Sequence, residues 1–188
     1  MDKFFTTEYQ RKIFEKRYSQ TKQDGTKETI EETFRRISLG DEDVFSMLMD
    51  RKFIPAGRIL SNVGGTGNNM VGNCFAIPLL EDSLDAIMKR QTDSTKTHAK
   101  GGGTGSNFSK LRPKDAPVQG AEHGSSGVCS FIDAQDAYAE IIKQGGARRA
   151  ALMTILNINH PDIREFIHAK TDHKRWKNTN VSVGIFDD

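Results

Sequence analysis

Apolar and polar positions along this chain change their pattern after about the first fifty residues. Over the first fifty residues the period is helical. Residues 4–18 are charged with scattered aromatics, and Asp24-Gly25 is a turn signal. Between Thr29 and Leu39, Ile30, Phe34 and Ile37 recur at the spacing of one helical face. Gly40 reads as a helix stop, and Asp41 as the cap of a short helix through Met49. From Phe53 onward short apolar runs alternate with helical stretches. Residues 73–77 read as a buried strand. The Asp82-Ser83-Leu84-Asp85 pattern opens a helix to Thr97, which the glycines at 101–105 break. Residues 106–111 read as a second strand and 112–126, rich in Pro, Gly and small polar side chains, as a long loop. The cap pattern repeats at 130–133 and opens a helix to about Gln144. A strand over 150–156, a helix over 161–170 with Pro161 in its first turn, and a strand over 181–185 complete the series. Strands alternating with helices predict an α/β fold with a parallel-rich sheet. The last residues, Asp187 and Asp188, follow directly on a strand, which is the expectation for one piece of a split or larger fold.

Composition narrows the function classes. The chain has 188 residues, enough for a real core, and a net charge of +2. No basic stripe of the nucleic-acid-binding kind occurs. No apolar run reaches the roughly 18–20 residues that span a bilayer. An early acid, Asp2, and the lack of a signal-peptide core predict a cytoplasmic protein that contacts no membrane. Cys74 and Cys129 are too far apart for a CxxC motif, and the histidines show no metal-ligand spacing.

Candidate chemistry then falls at a few places. Gly145-Gly146 followed by Arg148-Arg149 just before a core strand is a flexible loop with planar cationic donors, a place to hold a phosphorylated ligand. The run Gly101 to Asn107 lacks the Lys of a phosphate-binding P-loop and the third glycine of a dinucleotide fingerprint, so it reads as a tight turn. Cys74 either packs as a small hydrophobe or works with a second thiol. Cys129 sits beside a helix start, where a thiol pKa falls or a side chain simply packs. Asp82 and Ser83 either cap a helix or meet a nucleotide's sugar or base edge. Lys110, Arg112 and Lys114 either attract phosphate or are solvated. His160 reads as a residue of a helix start.

Seven segments taken in order carry a resemblance. They are Phe-Ile-Pro-Ala-Gly-Arg-Ile at 53–59, Gly-Asn-Cys-Phe at 72–75, Glu-Asp-Ser-Leu at 81–84, the stretch 101–114, Ser-Gly-Val-Cys-Ser-Phe at 126–131, Gly-Gly-Ala-Arg-Arg-Ala-Ala-Leu-Met at 145–153, and 160–170. Together they resemble the large catalytic subunit of ribonucleotide reductase, nearest to its adenosylcobalamin-dependent class II. The resemblance implies a helical N-terminal region over 1–52 and, over 53–188, an incomplete first half of a ten-stranded α/β barrel. It implies reduction of ribonucleotides by thiyl-radical chemistry. Cys74 is then one thiol of the redox pair, and Arg58, Ser61, Asn62 and Asn73 lie near substrate. Asp82, Ser83, Lys110 and Arg112 bind the deoxynucleoside triphosphate effector. Gln144, Gly145, Gly146, Arg148 and Arg149 form a specificity loop. It implies adenosylcobalamin bound mainly by segments outside this chain, a second polypeptide carrying the remaining half-barrel, a thioredoxin-like reductant and a homodimer of the assembled enzyme. Two other readings stand beside it: an inactive nucleotide-binding fragment, and a fragment of a class I reductase.

Overall fold

The structure, a computed structural model, describes residues 4–65, 70–142, 150–172 and 174–187. Contacts divide the chain into two compact units, 1–72 and 73–188. The division falls twenty residues beyond the expected 52/53 boundary. Packing explains the shift: Leu60 joins Phe34, Ile37 and Leu48 in one apolar cluster, so the segment after Phe53 belongs with the N-terminal helices.

The first unit holds α1 (Glu8–Arg17), α2 (Ile30–Ile37), α3 (Glu42–Met49) and α4 (Gly57–Asn62). Thr7 with Gln10, and Thr29 with Glu32, close reciprocal capping boxes, and Asp41 caps α3 as its sequence predicts. Helix α2 ends before Gly40; Leu39 already adopts a left-handed φ of 53°. The C-terminal carbonyls of α4 are satisfied from elsewhere in the unit. Arg36 donates to Leu60 O at 2.9 Å and to Val63 O, and Gln20 Nε2 donates to Ser61 O at 2.8 Å. Arg36 is itself held by Glu28 at 2.8 Å in a largely buried pair.

The second unit contains β1 (Cys74–Ala76), α5 (Leu84–Ala99), β2 (Gly103–Asn107), α6 (Val128–Ile141), β3 (Leu152–Asn157), α7 (Ile163–Ala169) and β4 (Thr179–Gly184). The strands pair in parallel in the order β1-β2-β3-β4. Consecutive parallel strands joined by right-handed crossovers place every connecting helix on one face. Burial agrees. Leu152, Thr154 and Leu156 on β3 are buried toward the helices, and the alternate Met153 is 40% exposed. The covered side carries the core, in which Phe108, Ile132, Leu156 and Phe166 are fully buried with Trp176 beside them. On the other face Cys74, Ala76, Met153, Asn180 and Ser182 are exposed. No described helix is long and apolar enough to cross a membrane.

Three sequence expectations change. The strand expected at 106–111 lies at Gly103–Asn107, so two of the glycines expected to form the break are strand residues. Space is tight where the strand begins: a Cβ on Gly102 would come within 2.7 Å of the Thr97 side chain, and one on Gly103 within 3.3 Å of Ala151 O. Helix α6 starts at Val128, and the pattern at 130–133 lies inside it. Finally β1 is an edge strand with Cys74 and Ala76 exposed, not a buried one.

Candidate functional site

Cys74 lies on the uncovered face, paired across the sheet edge with Gly103. Its Sγ would lie 3.4 Å from a Cβ at Gly103, so the glycine keeps the thiol's flank open. The reading of Cys74 as a buried small hydrophobe is therefore corrected: the residue is exposed on the edge strand of the described sheet. Asn73 beside it is also exposed, and its carbonyl accepts from Gly103 N at 2.7 Å. Cys129 takes the opposite role. It is 2% exposed within the core, and burial, aided by Glu165, pushes its thiol up to about 12. The helix start does not lower it.

A second constellation forms where α5 begins. Ser83 is the true N-cap, its Oγ accepting from Ala86 N at 3.2 Å. Asp82 is left free of capping and instead pairs with Arg112, Nε to Oδ2 at 2.6 Å. Arg112 also donates to Pro117 O at 2.8 Å, and Lys110 Nζ donates to Leu80 O at 3.3 Å. Four residues distant in sequence, Asp82, Ser83, Lys110 and Arg112, thus share one partly exposed corner carrying both charges. A carboxylate and a guanidinium side by side suit a ligand that offers hydroxyl donors and anionic oxygens together.

The remaining expected residues fall into two groups. Arg58, Ser61 and Asn62 lie on α4 in the first unit. Arg58 Nε is buried with no hydrogen-bond partner among the described residues, Ser61 Oγ donates to Arg58 O, and Asn62 Nδ2 donates to Met70 O at 2.7 Å. Gln144, Gly145, Gly146, Arg148 and Arg149 lie outside the described residues. No described group of three His, Cys, Asp or Glu side chains could hold a metal ion.

Sequence reasoning missed two features. One is a buried polar seam between α5 and β2. Arg90, Ser94 and His98 recur every four residues on one face of α5. They meet Ser106 at 3.2 Å, Thr104 at 2.7 Å and Thr104 at 2.8 Å respectively. Burial, with the Arg90 charge beside it, pushes the His98 imidazole down to about 4, and burial alone lowers Arg90 to about 10. The i, i+4, i+8 spacing was visible, but polar side chains at that spacing normally mark a solvated face. The other feature is Asp162, whose carboxylate accepts from Lys114 N and Val128 N. His160 joins it, its Nε2 lying 2.8 Å from Leu111 O, which agrees with the reading of a helix-start residue.

Residues 72–188 match the family model described as ribonucleotide reductase, barrel domain. The chain is 43% identical over 148 residues to a vitamin B12-dependent ribonucleoside-diphosphate reductase of Thermoplasma acidophilum, covering 78% of this chain and 19% of that protein. A protein of the same description from Mycobacterium tuberculosis is 36% identical over 143 residues, covering 76% of this chain and 20% of its own length. A vitamin B12-dependent ribonucleotide reductase of Streptomyces avermitilis is 37% identical over 110 residues, 58% of this chain and 11% of the relative. The chain therefore spans about a fifth of the length of the first two relatives. The family match begins one residue from the boundary between the two units and runs through every strand of the sheet, and on that ground this chain belongs to the ribonucleotide reductase family.

Proposed function

We propose that this chain supplies part of a ribonucleoside reductase, contributing one redox thiol and the surface that reads a deoxynucleoside triphosphate effector. A second polypeptide supplies the rest of the barrel. The observation that carries the reading is the exposed Cys74 on an uncovered sheet face, flanked by a glycine that leaves room beside the sulfur. An uncovered face on a parallel sheet is normally buried in the finished protein, which is the reason to expect further strands closing a barrel around it.

In this reading the reaction balances around the thiols. A thiyl radical on a cysteine of the missing segments abstracts a ribose hydrogen and returns one at the end. A ribose hydroxyl leaves as water. Cys74 and a second thiol give up two electrons and two protons and close to a disulfide, which a thioredoxin-like reductant reopens. Arg58, Ser61 and Asn62 in the first unit and, separately, Asn73 in the second are each proposed to meet the substrate, and among the described residues Arg58 Nε has no hydrogen-bond partner. The relatives' descriptions as diphosphate reductases favour a ribonucleoside diphosphate as substrate. Adenosylcobalamin, held by other segments, would supply the radical chemistry of the assembled enzyme. The described residues on the open face, Cys74, Ala76, Gly103, Gly105, Met153 and Asn180, offer no ring to cradle a corrin, and His98 and His160 are buried and hydrogen-bonded. The described residues of that face do not fit the cofactor, and its binding is proposed to fall mainly to the second polypeptide.

Asp82, Ser83, Lys110 and Arg112 form the proposed effector site, and Gln144 to Arg149 the proposed specificity loop. The assembled enzyme is proposed to be a homodimer. The test is reconstitution. The chain alone should not reduce ribonucleotides, addition of the second polypeptide should restore turnover, and Cys74→Ser in the assembly should abolish it. Turnover by the chain alone, or full turnover with Cys74→Ser, would sink the reading and leave a nucleotide-binding module in its place.

A further inference from the structure

We infer that Asp162 is a positioning residue for effector recognition: its carboxylate clasps both ends of loop 112–126 and so fixes Arg112 against Asp82. The inference rests on the effector reading of that corner. Asp162 stands at the N-cap position of α7, where an aspartate ordinarily accepts from the N–H groups of its own helix. Here its side chain makes no such bond. It reaches out instead, accepting from Lys114 N at 3.1 and 3.2 Å and from Val128 N at 3.0 Å. The residue is 9% exposed, and the amides it binds lie fourteen positions apart at opposite ends of the loop.

The second of those amides is a free donor at the start of α6, whose N-cap, Gly127, has no side chain to offer. One carboxylate therefore caps a helix from outside and holds the loop in the same act, with the helix dipole favouring its charge. The neighbouring His160 completes the grip. Asp162 N donates to His160 Nδ1 at 3.1 Å, so the ring carries its proton on Nε2, which donates to Leu111 O at 2.8 Å. Three backbone positions around the loop, 111, 114 and 128, are thus anchored by residues 160–162, and Arg112 lies between two of them.

The close approach is built into the chain. Gly127 has φ of 80°, and a Cβ there would come within 2.8 Å of Lys114 Cβ and 3.0 Å of Asp162 Oδ2. The stem of the loop is laced by Asp115 N to Ser125 O and Ser125 N to Ala116 O, both at 2.8 Å. Arg112 issues from this stem and reaches Asp82 Oδ2 at 2.6 Å. Releasing the clasp frees the stem, and the guanidinium no longer meets the effector in a fixed geometry.

The experiment titrates the assembled reductase with deoxynucleoside triphosphates. In Asp162→Asn one acceptor oxygen becomes a donor facing an amide. The effector concentration for half-maximal stimulation should rise about tenfold. Turnover at saturating effector and the substrate KM should stay at the wild-type values. Hydrogen exchange at the Lys114 and Val128 amides should accelerate. Adding Asp162→Asn to Arg112→Ala should weaken effector response no further than Arg112→Ala alone, because both act through one guanidinium. An unchanged titration in Asp162→Asn overturns the clasp while leaving the effector site intact, and so does a parallel fall in effector response, turnover and unfolding temperature. A wild-type assembly that binds no deoxynucleoside triphosphate sinks the effector reading, and the positioning role with it.

Discussion

The two cysteines occupy opposite environments, and each difference is measurable. Cys74 is exposed on an edge strand, whereas Cys129 is 2% exposed and its thiol is held near 12. The thiolate is the reactive form, so a thiol reagent at pH 8 should label Cys74 and spare Cys129 until the protein is unfolded, as peptide mass spectrometry would show. Equal labelling of both under native conditions would contradict the burial. His98 is a second residue-scale case. Burial first, and the Arg90 charge second, lower it from 6.5 to about 4. The unfolded chain takes up a proton near pH 6.5 while the folded protein resists until about 4. Stability from this group is therefore full above pH 6.5 and is lost as pH falls through that window. Thermal unfolding midpoints between pH 7 and 4 should drop more steeply for the wild type than for His98→Gln.

Helices and strands were readable from the sequence where the signal was local. Asp41 and the Asp82-Ser83 pair each mark a helix start by chemistry confined to four residues, and the structure places the helices there. Elements whose ends depend on distant partners were misjudged. Helix α6 begins at Val128 because Asp162 binds its amide from another element, a bond no local pattern announces. Strand β2 begins within a glycine run, at whose start a Cβ on Gly102 would collide with the Thr97 and Phe75 side chains. Helix α4 depends in the same way on Arg36, and Arg36 on Glu28. Glu28→Gln should destabilise the protein by about 3 kcal/mol, since it strips a largely buried cation of its partner, with chemical denaturation as the measure. Burial raises the Glu28 carboxyl, but bonds from Arg36, Gln20 N and Thr33 outweigh it and hold the carboxyl below its ordinary value. Its contribution is present above the ordinary glutamate range and is lost as pH falls through the depressed value. Asp136 plays the corresponding part for β4, accepting from Asn178 N at 2.9 Å and Thr179 Oγ1 at 2.7 Å. Asp136→Ala should cost about 2 kcal/mol by orphaning those buried donors.

At the scale of the whole molecule the governing feature of the second unit is one-sidedness. Four parallel strands in sequential order carry their helices on one face, and the opposite face is lined by glycines, Cys74 and Met153. Under the proposed assembly that face is an interior waiting for further strands. Met153→Lys, at a side chain 40% exposed, should leave the unfolding midpoint of the isolated chain within about 0.5 kcal/mol of wild type. The same substitution should suppress reconstituted turnover, because the lysine would be buried without a partner. Unimpaired reconstitution would show that the face stays open to water.

Periodicity and caps are short-range properties, so the alternation of strand and helix, and with it the parallel sheet, could be read directly from the order of residues. The candidate thiol and the polar pairs at 82–83 and 110–112 were likewise visible as residue types in order. Their environment was not. Whether Cys74 is exposed or Cys129 buried, whether Asp82 caps its helix or pairs with Arg112, and where Asp162 sends its carboxylate are settled by contacts between positions some thirty or more residues apart. Such contacts exist only after the sheet has formed, because it is the sheet that brings those segments within hydrogen-bonding distance.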